Sequence, residues 1–262
     1  HVIPQEYTID QHEGIKEPLG MSGREIKVQV HLVTAAVNAI QNIVKCIGRC
    51  GLEVDGVILE QLASSYAVLN QDERELGVCL IDVGGGTTEV AVISLGGIVY
   101  SHSIRIGGDT LDEAIISHIK KHYSLLVGER TAEEVKIKLG SAIEEESDLL
   151  MEVRGRDVVA GVPRNIEINS REMSEAMQEP IAAIVEAVRM SLERTPPELA
   201  SDIVDRGIML SGGGALLKNL DALVQRETGV PVHVAADPHC GTVLGAGKVL
   251  EEIDRLRQVL KN

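Results

Sequence analysis

The sequence has no Phe and no Trp, and only four Tyr in 262 residues. That absence removes the ring platforms on which RNA-recognition sheets, single-strand DNA grooves and sugar sites stack their ligands. Basic residues are short too: 25 Lys and Arg against 40 Asp and Glu leave a formal charge of −15. Nucleic-acid binders rely on Lys and Arg to release counterions, so nucleic acid is not an expected partner. Cys46, Cys50, Cys79 and Cys240 form no Cys-x-x-Cys pair, which fits a reduced cytoplasmic compartment better than secretion. No apolar run approaches the ~20 residues of a membrane span. Residues 1–20 are polar and contain proline, unlike a signal peptide.

What remains is a chain that is 44% hydrophobic, whose core must be built from Val, Ile, Leu, Ala and Met. Residues 1–34 read as strands and turns, ending in the alternating REIKVQVHLVT. From Thr34 the period becomes helical, with Val37, Ile40, Ile43, Val44 and Ile47 on one stripe. A short strand (54–59), a helix (62–69), an acidic turn (71–75) and the dense strand VCLIDV follow. TTEVAVISLGGIVYSHSIRIGG reads as a hairpin around Gly96-Gly97. Two helical patterns then flank Gly128, and the acidic run 144–148 reads as a solvated loop. Strand-like pieces precede a helix from Ser170 to Thr195, in which Pro180 predicts a bend or late start. GIMLSGGG, a helix (215–229), the strand VPVHVA and a last helix (246–260) complete an α/β pattern.

Two strands run directly into three glycines. In LIDVGGGTTE, Gly84, Gly85 and Gly86 let backbone N–H groups close on an oxyanion, and Thr87 and Thr88 add hydroxyls. Asp82, at the strand end, suits a Mg²⁺ held through its water shell. An isolated Gly-Gly-Gly is as readily a plain hairpin turn, but the flanking Asp and Thr residues favour the phosphate cradle. In MLSGGGALL, Gly212, Gly213, Gly214 and Ala215 open a helix. Two such turns in one α/β chain suggest opposite sides of one nucleotide. Neither is a Walker loop, and neither has G-x-G-x-x-G spacing.

DVGGGTTEVAVISL, RIGGD (105–109), GERTAEEVKIKLGSA, GVPRNIEIN, RTPPELASDIVDRGIMLSGGGALLKNLDALVQRETGVPV and GAGKVLEEID closely resemble the MreB family. These are bacterial actins of the Hsp70/actin/sugar-kinase superfamily, and the resemblance runs from about residue 77 to the end. Upstream, HVIPQEYTID, GIKEPLGMSG, VHLVTA, NIVKCIGRCGLEVDGVILEQLASSYAVL and DERELGV resemble the FtsA cell-division family over residues 1–78. The chain thus reads as an FtsA-to-MreB hybrid.

The resemblance implies an actin-like (ribonuclease H-like) ATPase fold with mixed sheets flanked by helices. Residues 1–34 would be a remnant of the small subdomain inserted in FtsA, 35–81 part of the first ATPase subdomain, and 82–262 the second, with an inserted helical subdomain at about 109–169. It implies ATP and Mg²⁺ as ligands. Asp82, Gly84, Gly85, Gly86 and Thr87 match the second phosphate loop, and Gly212 to Gly214 the adenosine-contacting turn. Glu133, Glu134 and Lys136 match the helix beside adenine and ribose. Glu60 falls where the superfamily places the Glu of its Glu-Pro-x-Ala-Ala run, which orients the attacking water; the Pro is Gln61 here. The family's first phosphate loop has no counterpart before Asp82, so the resemblance implies an N-terminally truncated fold with weak ATP binding and slow hydrolysis.

The implied role is in cell shape and cell-wall organisation, with self-association into filaments and with wall-elongation or division proteins as partners. The alternative is an FtsA-like adaptor that binds division-ring proteins without significant catalysis. The location implied is cytoplasmic, reaching the inner face of the membrane only through partners, since RLRQVLKN is short for an interfacial anchor. His118 and His122 lie one turn apart without the Glu of a zinc-protease helix. Cys79 reads as core and Cys46 with Cys50 as a structural thiol pair. Ser211 lacks the G-x-S-x-G elbow of a hydrolase.

Overall fold

The computed structural model describes residues 2–15, 18–32, 34–144 and 149–251. The first strands, β1 (Val2–Ile9), β2 (His12–Ile15) and β3 (Ile26–Leu32), form an antiparallel sheet in the order β2-β1-β3. Tyr7 opposes Val28 and Ile9 opposes Ile26, so one face carries Ile9, Ile26, Val28 and Val30 by period-2 alternation. Helix α1 (Val37–Arg49) has the expected apolar stripe, yet none of its residues is buried. Nothing among the described residues covers that stripe. Cys46 and Cys50 are accordingly exposed, with the Cys50 thiol directed at the Cys46 carbonyl at 3.5 Å.

Residues 54–59 are irregular rather than a strand, because they pair with no neighbour among the described residues. They lead into α2 (Glu60–Val68) and α3 (Gln71–Leu76). The expected acidic turn is this second helix. Asn70 accepts from the Glu73 N–H at 2.9 Å and Glu73 accepts from the Asn70 N–H at 2.8 Å, a reciprocal cap that starts a helix.

The central sheet contains β4 (Val78–Val83), β5 (Thr88–Ser94), β6 (Gly97–Ile104), β10 (Ile208–Ser211) and β11 (Val232–Val234), ordered β11-β10-β4-β5-β6. It is mixed: β10 runs parallel to β4 and β11, whereas β4, β5 and β6 are antiparallel. Every residue of β4 is buried, as its near-continuous apolar run, interrupted only by Asp82, requires. Cys79, Ile81 and Val83 face a core shared with α4 (Gly108–Tyr123) and α6 (Ser170–Glu193), through Leu111, Ile115, Met173 and Met177. Val78 and Leu80 face the other way, onto Leu62 and Leu69 beside α2. Burial pushes the Cys79 thiol up to about 12, so it behaves as an inert core group.

A third sheet, β7 (Leu125–Leu126), β8 (Leu150–Asp157) and β9 (Pro163–Asn169), stands with α5 (Glu129–Leu139) beyond α4. Helix α6 starts at Ser170 with the Asn169 side chain accepting the Glu172 N–H, and runs unbroken through Pro180 to Glu193. The Pro196-Pro197 pair that ends the preceding pattern also begins α7 (Pro197–Arg206), a helix the apolar periodicity did not reveal; proline suits the first helical turn. The helix expected over 215–229 is divided. A 3-10 turn spans Gly213–Leu216, Asn219 adopts a left-handed conformation at φ 60°, and α8 covers Leu220–Thr228. The last helix, α9, starts earlier than expected, at Gly241, and is described to Glu251. Within the acidic run, Glu144 pairs with Arg171 at 2.9 Å; residues 145–148 lie outside the described residues.

Candidate functional site

Strand register brings the two glycine turns together. Strands β4 and β10 are adjacent and parallel, with Ser211 opposite Asp82, so both Gly-Gly-Gly segments emerge side by side at the same sheet edge. Crevices at the carboxyl ends of such strands are where open α/β sheets bind ligands. Gly212, at φ 82°, permits the contact: a Cβ there would lie 2.4 Å from the Val83 carbonyl oxygen and 2.5 Å from Asp82 Oδ1.

The two turns floor a cleft of about 700 Å³. Of the predicted residues, Glu60, Asp82, Gly84, Gly85, Glu133, Lys136 and Gly212 to Gly214 line it. Gly86, Thr87, Glu134 and Ala215 do not. Gly86 and Thr87 belong to the tip of the β4–β5 turn, closed by the Gly84 N–H on the Thr87 carbonyl at 2.9 Å. Thr88 was read as a hydroxyl donor, but it is buried and donates to the Ile106 carbonyl at 2.7 Å. Glu134 is turned towards Arg130, one helical turn away at 3.5 Å. Ala215 is buried in the core. Lys136 is held by Asp112 at 2.8 Å and by the Gly108 carbonyl at 2.9 Å, so it ties α5 to the start of α4 while facing the cleft.

Several lining residues were given no role from the sequence, among them Asp109 and Lys218 inside the quoted motifs and His239 and Thr242 outside them. They come from loops and helix starts that only the folded sheet gathers. The α4 amino end is not an open anion site, because the Gly108 and Asp109 N–H groups donate to the Gly84 and Gly85 carbonyls at 2.9 and 2.8 Å.

Acidic charge concentrates at one end. Burial raises the pKa of Asp82, while a hydrogen bond from Ser64 opposes the rise. Glu60 is raised by burial and then by Asp82, and Glu89 by burial, Glu60 and Asp82. Glu89 also accepts from the Gln61 amide. A carboxyl raised by folding prefers its proton in the folded state, so stability falls as pH rises through the folded pKa. Glu89→Gln removes one of three crowded charges. Thermal unfolding is expected to show Glu89→Gln above the unmodified protein at neutral pH, with the gap closing below about pH 4, where carboxyls are protonated in both states. A gap that widened on acidification would contradict the crowding.

The residues present fit Mg²⁺ and a nucleotide. Ser64 occupies Asp82 Oδ2, and Oδ1 remains beside Gly212 at the cleft floor, a hard oxygen suited to the water shell of Mg²⁺. Gly212 lines the cleft beside that oxygen, its missing Cβ letting the second turn close on Asp82. Among the described residues no cluster of three metal-ligating side chains occurs, so the ion would need oxygens from water and phosphate as well. The His118 and His122 rings stack at 4.3 Å, away from the cleft lining. No described helix is long and apolar enough to cross a membrane.

Comparison with known proteins places the chain among families of like fold. The family model of the MreB/Mbl protein matches residues 36–258, and that of the SHS2 domain inserted in FtsA matches residues 1–34. The cell shape-determining protein MreB of Escherichia coli (strain K12) is 56% identical over 198 residues, 76% of this chain and 57% of that protein. The cell shape-determining protein Mbl of Bacillus subtilis (strain 168) is 49% identical over 180 residues, 69% of this chain and 54% of that protein. The chain therefore spans little more than half the length of these relatives. MreB5 of Spiroplasma citri bound to ADP superposes with a TM-score of 0.74 at 29% identity, over 92% of this chain and 84% of that one. The MamK double helical filament shares the fold alone, at a TM-score of 0.65 and 21% identity over 83% of this chain and 66% of that one.

Proposed function

The chain belongs to the MreB/Mbl family, and from that premise we propose that it is an actin-like cytoskeletal protein that binds ATP and ADP with Mg²⁺ and acts in cell shape and cell-wall organisation. The observation that carries the reading is the pairing of Ser211 with Asp82, which sets the two glycine turns on one cleft floor. In this reading Gly85 receives the phosphates through its backbone N–H, while the Gly84 N–H closes the turn on the Thr87 carbonyl. Gly212 to Gly214 support the adenosine, with Glu133 and Lys136 beside the sugar. Asp82 holds the water shell of Mg²⁺, which when bound neutralises phosphate charge. Glu60 accepts a hydrogen bond from the attacking water and aligns it.

Two relatives carry the proposal further. MreB5 has been solved with ADP and MamK as a filament, so nucleotide-linked self-association of this chain is the corresponding expectation. Its place would be the cytoplasm, at the inner face of the membrane through partners.

Titration calorimetry tests the site. Mg·ADP is expected to bind at least about tenfold more tightly than ADP in EDTA, a difference of about 1.4 kcal/mol. Absence of heat up to millimolar Mg·ADP and Mg·ATP would remove the nucleotide reading.

A second reading, as a division adaptor, is favoured by the match of residues 1–34 to the FtsA domain and by the exposed Ile26, Val28 and Leu32 on β3. Capture of a division-ring protein that is lost on Val28→Asp supports it; capture insensitive to that change counts against it.

A further inference from the structure

Glu60 and Ser64 lie one turn apart on α2, so their side chains share a face. That face meets the end of β4 and the first turn of α9. Ser64 is completely buried. Its hydroxyl donates to Asp82 Oδ2 at 3.0 Å and lies 2.9 Å from the Thr242 hydroxyl. Thr242 lines the cleft with Glu60 and Asp82. A hydroxyl has one proton and two lone pairs. Ser64 commits its proton to Asp82, so the Thr242 hydroxyl is the donor to Ser64. The two hydroxyls thus pin α2, and with it Glu60 one turn before Ser64, against the carboxylate assigned to the metal shell.

We propose that Ser64 and Thr242 are positioning residues, a hydroxyl bridge from α9 through α2 to β4 that holds α2, and with it Glu60, relative to Asp82 so that water and the γ-phosphate meet in line; this rests on the nucleotide reading of the cleft given above. An alanine at 64 would serve α2 packing alone, since the neighbouring Ala63 already makes the close contact with α9. The buried hydroxyl is explained by its two oxygen partners. Displacing a group that orients a reacting water costs rate rather than ground-state affinity.

The test uses the full chain in excess over ATP, with single-turnover hydrolysis, Mg·ADP affinity by calorimetry and thermal unfolding measured together. Thr242→Val keeps the shape without the hydroxyl, and Ser64→Ala removes the other half. Both are expected to slow hydrolysis about tenfold or more while Mg·ADP affinity stays within about twofold, and Thr242→Ser to restore the rate. Glu60→Gln calibrates the series. If Glu60→Gln slows hydrolysis and Thr242→Val does not, the bridge is refuted and the nucleotide reading stands. If Glu60→Gln has no effect, or the unmodified chain shows no turnover, the hydrolytic role of Glu60 and the bridge fall together. A loss in Thr242→Val that Thr242→Ser does not restore, or that appears equally in Mg·ADP affinity, also overturns it.

Discussion

Gly245→Val is expected to separate α9 from α2 and to lower the urea midpoint sharply. A Cβ at Gly245 would lie 1.7 Å from the Ala63 carbonyl oxygen and 2.4 Å from its carbon. Those are backbone atoms, so no side-chain rotation can relieve the overlap, and one helix must move. Leu62, almost wholly buried on the same helix, would then open to water. Overpacking typically costs about 1–3 kcal/mol, and a backbone overlap belongs at the upper end, a large share of the roughly 5–15 kcal/mol that stabilises an ordinary domain. Displacement of α2 also carries Glu60 and Ser64 away from Asp82, so Mg·ADP affinity should fall with stability. Gly247→Ala is the control, because no atom lies within 4 Å of its Cβ position. Alanine there should be neutral or add up to about 1 kcal/mol through helix propensity. Equal urea midpoints for Gly245→Val and the unmodified chain would show that α2 and α9 do not pack so closely.

Asp82→Ala is expected to abolish the Mg²⁺ dependence of ADP binding and to reduce hydrolysis by roughly 10²–10³-fold, the scale of losing an electrostatic contact to transferring charge. The apo protein should not lose stability in proportion. Burial already raises the pKa of Asp82, so its ionised form is disfavoured by folding, and removing the charge offsets the lost Ser64 hydrogen bond. Asp82→Asn separates shape from charge, since an amide oxygen can still accept from Ser64. The informative quantity is the ratio of ADP affinities with Mg²⁺ and with EDTA, expected near one for both variants. A ratio in Asp82→Asn equal to that of the unmodified protein would exclude Asp82 as the metal-shell residue.

These two residues also show how far the sequence could be read. Asp82 was legible because its chemistry is local: a carboxylate at a strand end, immediately before three glycines. Gly245 was not, because its importance lies in Ala63, remote in the chain. The same division runs through the fold. The VCLIDV run and the Gly96-Gly97 turn located β4 and the β5–β6 hairpin, and the helical period located the start of α6 near Ser170, although its Asn169 cap was seen only in the structure. Helix α3 was missed because its Asn70–Glu73 cap resembles an acidic turn until both hydrogen bonds are seen. Helix α7 was missed because a Pro-Pro pair ends one helix and begins the next. The apolar stripe of α1 was read correctly, yet periodicity cannot say whether anything covers it.

Within the candidate site, Glu60 and Asp82 were assigned from separate motifs, and nothing in their spacing placed them together. Lys136 was assigned to the cleft, but its salt bridge with Asp112 could not be read from a separation of two helices. Ser64 and Thr242 carried no signal, since a hydroxyl becomes informative only when its partners are known.

The sequence by itself determined the α/β class, the two glycine turns and the family, because these depend on local periodicity and on contiguous motifs. Tertiary structure alone decided that the two turns share one cleft, that Thr88 turns inward and that the Ser64 and Thr242 hydroxyls meet beside Asp82. Strand order and helix crossing bring together residues from opposite ends of the chain, and hydrogen bonds act only over about 3 Å.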